Sequence, residues 1–233
     1  MEEFLNKRKS RLVAVSLLII LSVVVIFAGS RLYSQYREQV IRTEESQLLT
    51  MAGIVGNNLN SYMEQQLEEI DLFYSREGIP ENVWAEPGGI NARTAYFLKE
   101  NAGVYNWITV TEPDGTKFRY ELGKKTFRES ADGEAKAVDP QDGNHPAEIT
   151  GKEISDQTGW YELYIEKNVP VGSEVYMLTF AMDLGALYEK IVAPVKIGEA
   201  GYSSVKDQNM NIIMHHVKNQ IGLEAVDGRI ERY

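Results

Sequence analysis

The residues with chemistry to offer converge on position 183. Strand alternation puts Val175, Met177, Thr179, Ala181 and Asp183 on one face, and Tyr176, Leu178, Phe180 and Met182 on the other. The first face narrows at Thr179 and Ala181 and ends in a carboxylate, leaving room for a small molecule. The second face is bulky and is expected to pack on a helix. Other constellations offer less. His215 and His216 are adjacent on an expected strand, so they point to opposite faces and do not chelate one ion together. Asp139, Asp142, Gly143 and Asn144 crowd oxygen ligands into a loop, but without the spacing or terminal Glu of a calcium loop; a solvated turn fits them. There is no Ser/His/Asp order, G-x-S-x-G, phosphate loop or H-E-x-x-H. The expectation is a chain with no enzymatic activity, no resident cofactor and no bound metal.

The element most able to constrain function lies at the other end. Leu12 to Gly29 is a run of eighteen uncharged residues directly behind Lys7, Arg8, Lys9 and Arg11. As a helix it spans about 27 Å, close to the ~30 Å hydrocarbon core of a bilayer. The basic flank is expected to stay in the cytoplasm, which sends everything after Ser30 outside. Ala28 and Ser30 also resemble a signal-peptide cleavage site, but such an apolar region usually runs about 7–15 residues. The longer run reads as an uncleaved anchor, and both readings export the rest of the chain.

No proline occurs before Pro80. From Arg31 to about Arg76, apolar residues recur at Leu48, Ala52, Val55, Leu59, Tyr62, Leu67, Ile70 and Phe73, mostly three or four apart. That pattern predicts a helix of about 69 Å. Its C-terminal half should pack on its own globular domain. The more charged part from Leu32 to Arg42 should pair with a second copy as a dimeric stalk. Beyond Gly78 the pattern becomes α+β. A helix capped by Asn91 runs through Glu100. Strands follow at Val104–Val110 and Thr116–Leu122 around the turn Glu112-Pro113-Asp114-Gly115. Residues 124–147 are polar and glycine- and proline-punctuated, as a long loop or flap would be. Further strands are expected at Glu148–Ser155, Tyr161–Asn168 and Glu174–Met182, the last two joined through Val169-Pro170-Val171-Gly172. A short helix, Leu184 to Val192, comes next. The strand–turn–strand unit Tyr202–Lys206, Asp207-Gln208-Asn209 and Met210–His215 ends the series.

Composition narrows the partners. The first eleven residues hold four basic and two acidic side chains, a net of +2, so the total of −10 leaves −12 on the remainder. A surface that acidic repels nucleic acid. The absence of cysteine removes disulfides, thiolate nucleophiles and zinc–thiolate sites.

The order of anchor, long helix, PAS-like sheet and the stretch GYSSVKDQNMNIIMHH…IG resembles the extracytoplasmic double Cache sensor domains of bacterial transmembrane receptors. In that family a Gly-Tyr strand, an Asp-x-x turn, a second strand ending in His and a later Ile-Gly open the membrane-proximal module. Gly201-Tyr202, Asp207 to Asn209, Ile212 to His215 and Ile221-Gly222 match them. The family's usual proline after that histidine is His216 here. Phe180-Ala181-Met182-Asp183-Leu184 matches the strand that closes the membrane-distal module. The resemblance implies a cytoplasmic tail at 1–11, a transmembrane helix at 12–29 and a long helix at 30–76. It then implies a distal Cache module at 77–193 and the start of a proximal module at 194–233, with a second span expected beyond.

In amino-acid-binding members, an Arg-x-Trp-Tyr motif and a distant Asp clamp carboxylate and amine. Trp160-Tyr161 and Asp183 match, but Thr158 stands where the arginine would be. Without that bidentate donor, an amine-bearing or uncharged ligand fits better, walled by Trp160, Tyr161, Tyr105 and Trp107. The same aromatics are equally suited to a core. The resemblance implies the sensory input of a two-component histidine kinase; chemoreceptors and diguanylate cyclases carry the same input domain. A ligand-free, membrane-anchored envelope scaffold is the competing expectation. A pilin-like subunit is disfavoured by the basic flank.

Overall fold

The computed structural model describes residues 2–75, 89–124, 127–129, 145–196 and 201–224, with side chains described from residue 16 onward except at 127–129. The flap expected within 124–147 lies largely outside them, as do Asp139, Asp142, Gly143 and Asn144.

The proline-free N-terminal sequence forms one helix, α1 (Glu2–Tyr74). It is long and apolar enough to cross a membrane by length and composition, and Leu17 to Phe27 are exposed along it. Contacts divide the chain into two units, residues 1–53 and 54–233. Within the first, Leu32, Tyr33, Tyr36, Leu48 and Leu49 are exposed, and Arg42 pairs with Glu38 one turn back at 2.6 Å. Within the second, Val55, Gln66, Ile70 and Tyr74 are buried, with Leu59, Tyr62 and Leu67 partly so. These residues lie on one helical face, as the spacing predicts.

α2 (Gly89–Glu100) starts two residues before Asn91. Asn91 does not cap it; its amide oxygen accepts the Tyr120 hydroxyl at 2.6 Å, so a cross-element bond takes the expected capping oxygen. The strands are β1 (Tyr105–Thr111), β2 (Lys117–Glu121), β3 (Phe127–Glu129), β4 (Glu148–Ile154), β5 (Tyr161–Val171) and β6 (Glu174–Asp183). They make one antiparallel sheet in the order β3-β2-β1-β6-β5-β4. Apart from the three-residue β3, this is the five-stranded PAS-like sheet expected from sequence. Gly115, at φ +86°, closes the β1–β2 turn in a backbone conformation glycine adopts freely. β5 runs on through Pro170 and Val171, which sequence reading placed in a turn. β4 pairs with β5 only as far as Glu166, so Pro170 lies beyond the reach of that neighbour.

One sheet face packs on α1 and α2. The rings of Tyr74, Phe97, Tyr105 and Phe180 interlock there with centroids 5.6–5.9 Å apart. Ile70, Ile108, Val110, Ile165 and Leu178 complete this core, all 0 % exposed. Lys167 of β5 also points to this side and is only 4 % exposed. It pairs with Asp71 of α1 at 2.8 Å and donates to the His145 carbonyl at 2.6 Å. Asp71 accepts in addition from the Ala147 amide at 2.8 Å, so one carboxylate joins α1, β5 and the approach to β4.

α3 (Leu184–Leu187) continues as a π-turn through Val192. With Trp160, Val55, Met214 and Ile221 it forms a second core cluster. The final unit is the hairpin β7 (Val205–Lys206) and β8 (Ile212–Met214). Asp207 organises its turn by accepting from the amides of Asn209 and Asn211, and it pairs with Lys152 of β4. The Lys152 ammonium, with these donors, pulls its carboxyl down to about 2. β8 stops at Met214, so alternation does not extend to the histidines. The rings of His215 and His216 lie 4.6 Å apart, both against Tyr202, rather than on opposite faces. Among the described residues no group of three His, Asp or Glu side chains is placed to hold a metal.

Candidate functional site

The sheet face turned away from α1 is built by register. β6 presents Met177, Thr179 and Ala181, which pair with Thr111, Thr109 and Trp107 of β1, and with Asn168, Glu166 and Tyr164 of β5. The rings of Trp107 and Tyr164 converge across Ala181 at 5.6 Å, and Ala181 is 0 % exposed. The gap expected at Ala181 is therefore roofed by aromatic rings. Thr179 beside it stays partly open. The Arg119 guanidinium lies 4.1 Å over the Trp107 ring, and its Nε is 2.9 Å from Glu121. Lys124, then Arg119, hold the Glu121 carboxyl below its ordinary range against the opposing effect of burial. At the far end of β1, Thr111 Oγ1 is buried with no hydrogen-bond partner among the described residues. That leaves one polar group on this face for a guest or a water.

The other end is acidic. Glu162 pairs directly with Asp183 across β5 and β6. Glu162 is 6 % exposed; it accepts from Asn106 Nδ2 at 2.7 Å and Trp107 Nε1 at 3.1 Å. No cationic side chain among the described residues forms an ion pair with it. Asp183 is half-buried, and its Oδ1 accepts from the Gly185 amide at 2.8 Å, capping α3. Burial pushes its carboxyl up; hydrogen bonding from Gly185 opposes this, and the neighbouring Glu162 adds to the rise. Sequence reading missed Glu162. The signal was there: it alternates with Tyr164 on a strand whose Leu163 and Ile165 face the core.

The six residues singled out from sequence are not all brought together. Trp107 and Thr179 share the open face, with Asp183 at its end. Tyr105 lies on the opposite side, in the helix-facing core, where its hydroxyl donates to Gln66 Oε1 at 3.2 Å. The reason is a bulge: Tyr105 pairs with Met182 and Trp107 with Ala181, so Asn106 is an extra residue that reverses alternation. Asp183 also borders a cleft of about 220 Å³ on the α1 side, with Tyr62, Gly103, Val104, Leu187 and Lys190.

Trp160 is buried in the second cluster, 5.2 Å from the Tyr188 ring, and Tyr161 lies beside Lys152. Gly185 lies flat on the Trp160 ring, where a Cβ would come within 2.7 Å of two ring atoms. Gly185→Ala is expected to cost about 1–3 kcal/mol by overpacking and to shift the near-ultraviolet tryptophan signal. An unchanged melting point and spectrum would show that the Trp160 ring yields to a methyl group without cost.

No family model matches the sequence, and no curated protein matches it. Solved structures do. A domain of a sensory box/GGDEF family protein from Vibrio parahaemolyticus is 13 % identical, with TM-score 0.57 over 77 % of this chain and 74 % of that one. The ligand-binding domain of the Pseudomonas aeruginosa PAO1 amino acid chemoreceptor PctC, in complex with GABA, is 16 % identical; its TM-score is 0.54 over 72 % and 74 %. That of the Campylobacter jejuni chemoreceptor Tlp3, in complex with 4-methylisoleucine, is 12 % identical, with TM-score 0.52 over 79 % and 75 %. Identities this low carry the fold alone: this chain has the α+β, PAS-like fold of those sensory and ligand-binding domains.

Proposed function

We propose that this chain is the extracytoplasmic ligand-sensing input region of a membrane-bound bacterial receptor, and that it binds a small amine-bearing molecule. The observation that carries the reading is the Glu162–Asp183 pair, two neighbouring carboxylates at the end of an aromatic-walled sheet face. Glu162 accepts from two N–H donors and forms no ion pair among the described residues, an environment completed by a cation. An α-carboxylate would meet the two acids, with Thr158 where an arginine clamp would be needed. The amino acid and GABA bound by the fold relatives show only what a sheet of this kind accommodates in those proteins.

In this reading α1 anchors the chain through Leu12 to Gly29, with residues 1–11 in the cytoplasm, and pairs with a second copy as a homodimer. Binding displaces β5 and β6. Lys167 of β5 grips Asp71 of α1, and α3, capped by Asp183, packs on Val55. Both contacts pass a shift to α1, which carries it toward the membrane. The region itself performs no chemistry. The output in our reading is a sensor histidine kinase. The chemoreceptor and GGDEF-family origins of the fold relatives favour a second reading, a chemoreceptor or diguanylate cyclase input. Assaying cells for ligand-dependent kinase, chemotactic or diguanylate cyclase output separates these readings.

The binding test is calorimetric. Propylamine and phenethylamine should bind the detergent-solubilised chain, and the matching α-amino acids should bind at least tenfold more weakly. Asp183→Ala should lose about 2 kcal/mol or more of that binding, the scale for removing one partner of a buried charge contact. Retained affinity in Asp183→Ala sinks the site assignment. Uniform silence with tight self-association would favour a scaffold.

A further inference from the structure

The strands that carry Glu162 and Asp183 place more acid on the open face than one amine uses. Register sets Glu153 of β4, Glu162 of β5 and Asp183 of β6 side by side across three strands. Four residues along β5, Glu166 pairs with Glu148 of β4 on one side and with Thr179 of β6 on the other. At about 3.3 Å per residue the two acidic rows stand roughly 13 Å apart. Tyr164 lies between them on β5, its ring 5.6 Å from that of Trp107 and its hydroxyl donating to Glu153 at 2.9 Å. The lysines of these strands turn the other way. Lys152 pairs with Leu163 on the helix-facing side, and Lys167 is buried against Asp71. None of these carboxylates forms an ion pair among the described residues.

Two buried groups distinguish this face from a solvated acidic surface. Glu162 is only 6 % exposed, and its two N–H donors bring no countercharge. Thr111 is 2 % exposed on the same face, one strand pair beyond Thr109 and Thr179, and its Oγ1 has no hydrogen-bond partner among the described residues. An ammonium supplies what both lack, a positive charge and several N–H donors.

We propose that the ligand is a linear polyamine that spans both rows. One ammonium meets Glu153, Glu162 and Asp183, a second meets Glu166 beside Thr179, and the methylene chain between them lies over the Trp107 and Tyr164 rings. This rests on the amine-binding reading above and sharpens it from one ammonium to two at a set spacing. The rings offer an apolar, cation-attracting surface where the guest is a hydrocarbon chain between two charges. With the first ammonium bound, the second docks as an intramolecular event, which favours a chain whose length matches the span. In longer members of the class a further N–H meets the Thr111 hydroxyl. A guest of equal length with an anionic far end is repelled at the second row.

The test is calorimetric titration of the full chain in detergent with propylamine, octamethylenediamine, and the amino alcohol in which a hydroxyl replaces one ammonium of that diamine. In wild type the diamine should bind about tenfold more tightly than the amino alcohol, the step for one charge-assisted hydrogen bond. Ethylenediamine, too short to reach both rows, should show no such advantage over propylamine. Glu166→Gln should erase the diamine's advantage and leave propylamine and the amino alcohol unchanged. Glu166 is partly exposed, so its melting point should hold, and a thermal scan verifies that folding is intact. A diamine no tighter than the amino alcohol, or an advantage that survives a folded Glu166→Gln, overturns the proposal while propylamine binding keeps the amine site standing. A loss shared equally by propylamine also overturns it, because Glu166 then acts on the whole face and not on the second ammonium. If wild type binds none of these amines, the amine reading fails and the polyamine reading with it.

Discussion

Phe180→Ala should lower the unfolding free energy by about 3–5 kcal/mol, the range for emptying a phenylalanine site in a packed core. Phe180 is 0 % exposed, and its ring touches those of Tyr74 on α1, Phe97 on α2 and Tyr105 on β1. Removing it opens a void where three elements meet, and relaxation at one would break contacts at the others. Against a total stability of about 5–15 kcal/mol, the loss would leave a substantial unfolded population at physiological temperature. Urea titration of the chain in detergent measures it: the midpoint should fall with the slope unchanged. A loss below about 1 kcal/mol, typical of surface positions, would mean that the three-ring junction is not the centre of the core.

Asp71→Ala should cost about 3 kcal/mol, the low end for breaking a buried pair by removing one partner. The low end applies because Asp71 is itself 32 % exposed, while Lys167 is 4 % exposed. The variant takes the carboxylate away from the buried Lys167 ammonium, which keeps its bond to the His145 carbonyl, and the Ala147 amide loses its acceptor. The double variant Asp71→Leu, Lys167→Met should recover most of the loss, because the charge and its partner leave together. If the double variant is as unstable as the single one, the cost lies in the Ala147 contact and not in the ion pair. In the proposed receptor this node also couples β5 to α1, so the same single variant should bind propylamine normally but fail to transmit.

Much of the architecture was legible because it is local. Val55, Leu59, Gln66, Ile70 and Tyr74 fall four or seven residues apart on one helix, so periodicity alone marks the face that packs. Glu112 to Gly115 encode their turn within four residues, and Tyr176 to Met182 declare a bulky face by alternation. Asn91 lies inside α2 instead of capping it, and its amide oxygen accepts from Tyr120, twenty-nine residues away. The histidine pair was misplaced because β8 ends one residue sooner than the apolar run suggested.

An apolar segment long enough to span a bilayer, a long helix, an antiparallel sheet and a carboxylate at the end of β6 are all legible in the order of residues. Each depends on neighbours a few residues apart. Which side chains share the site depends instead on how the strands pair. One extra residue at Asn106 sends Tyr105 into the core and Trp107 to the open face, a reversal that no fixed period of two anticipates. Glu162 meets Asp183, and Lys218 meets Thr158, because strand pairing and chain return set distances between residues 21 and 60 positions apart. Spacing along the chain fixes elements; register between them fixes the site.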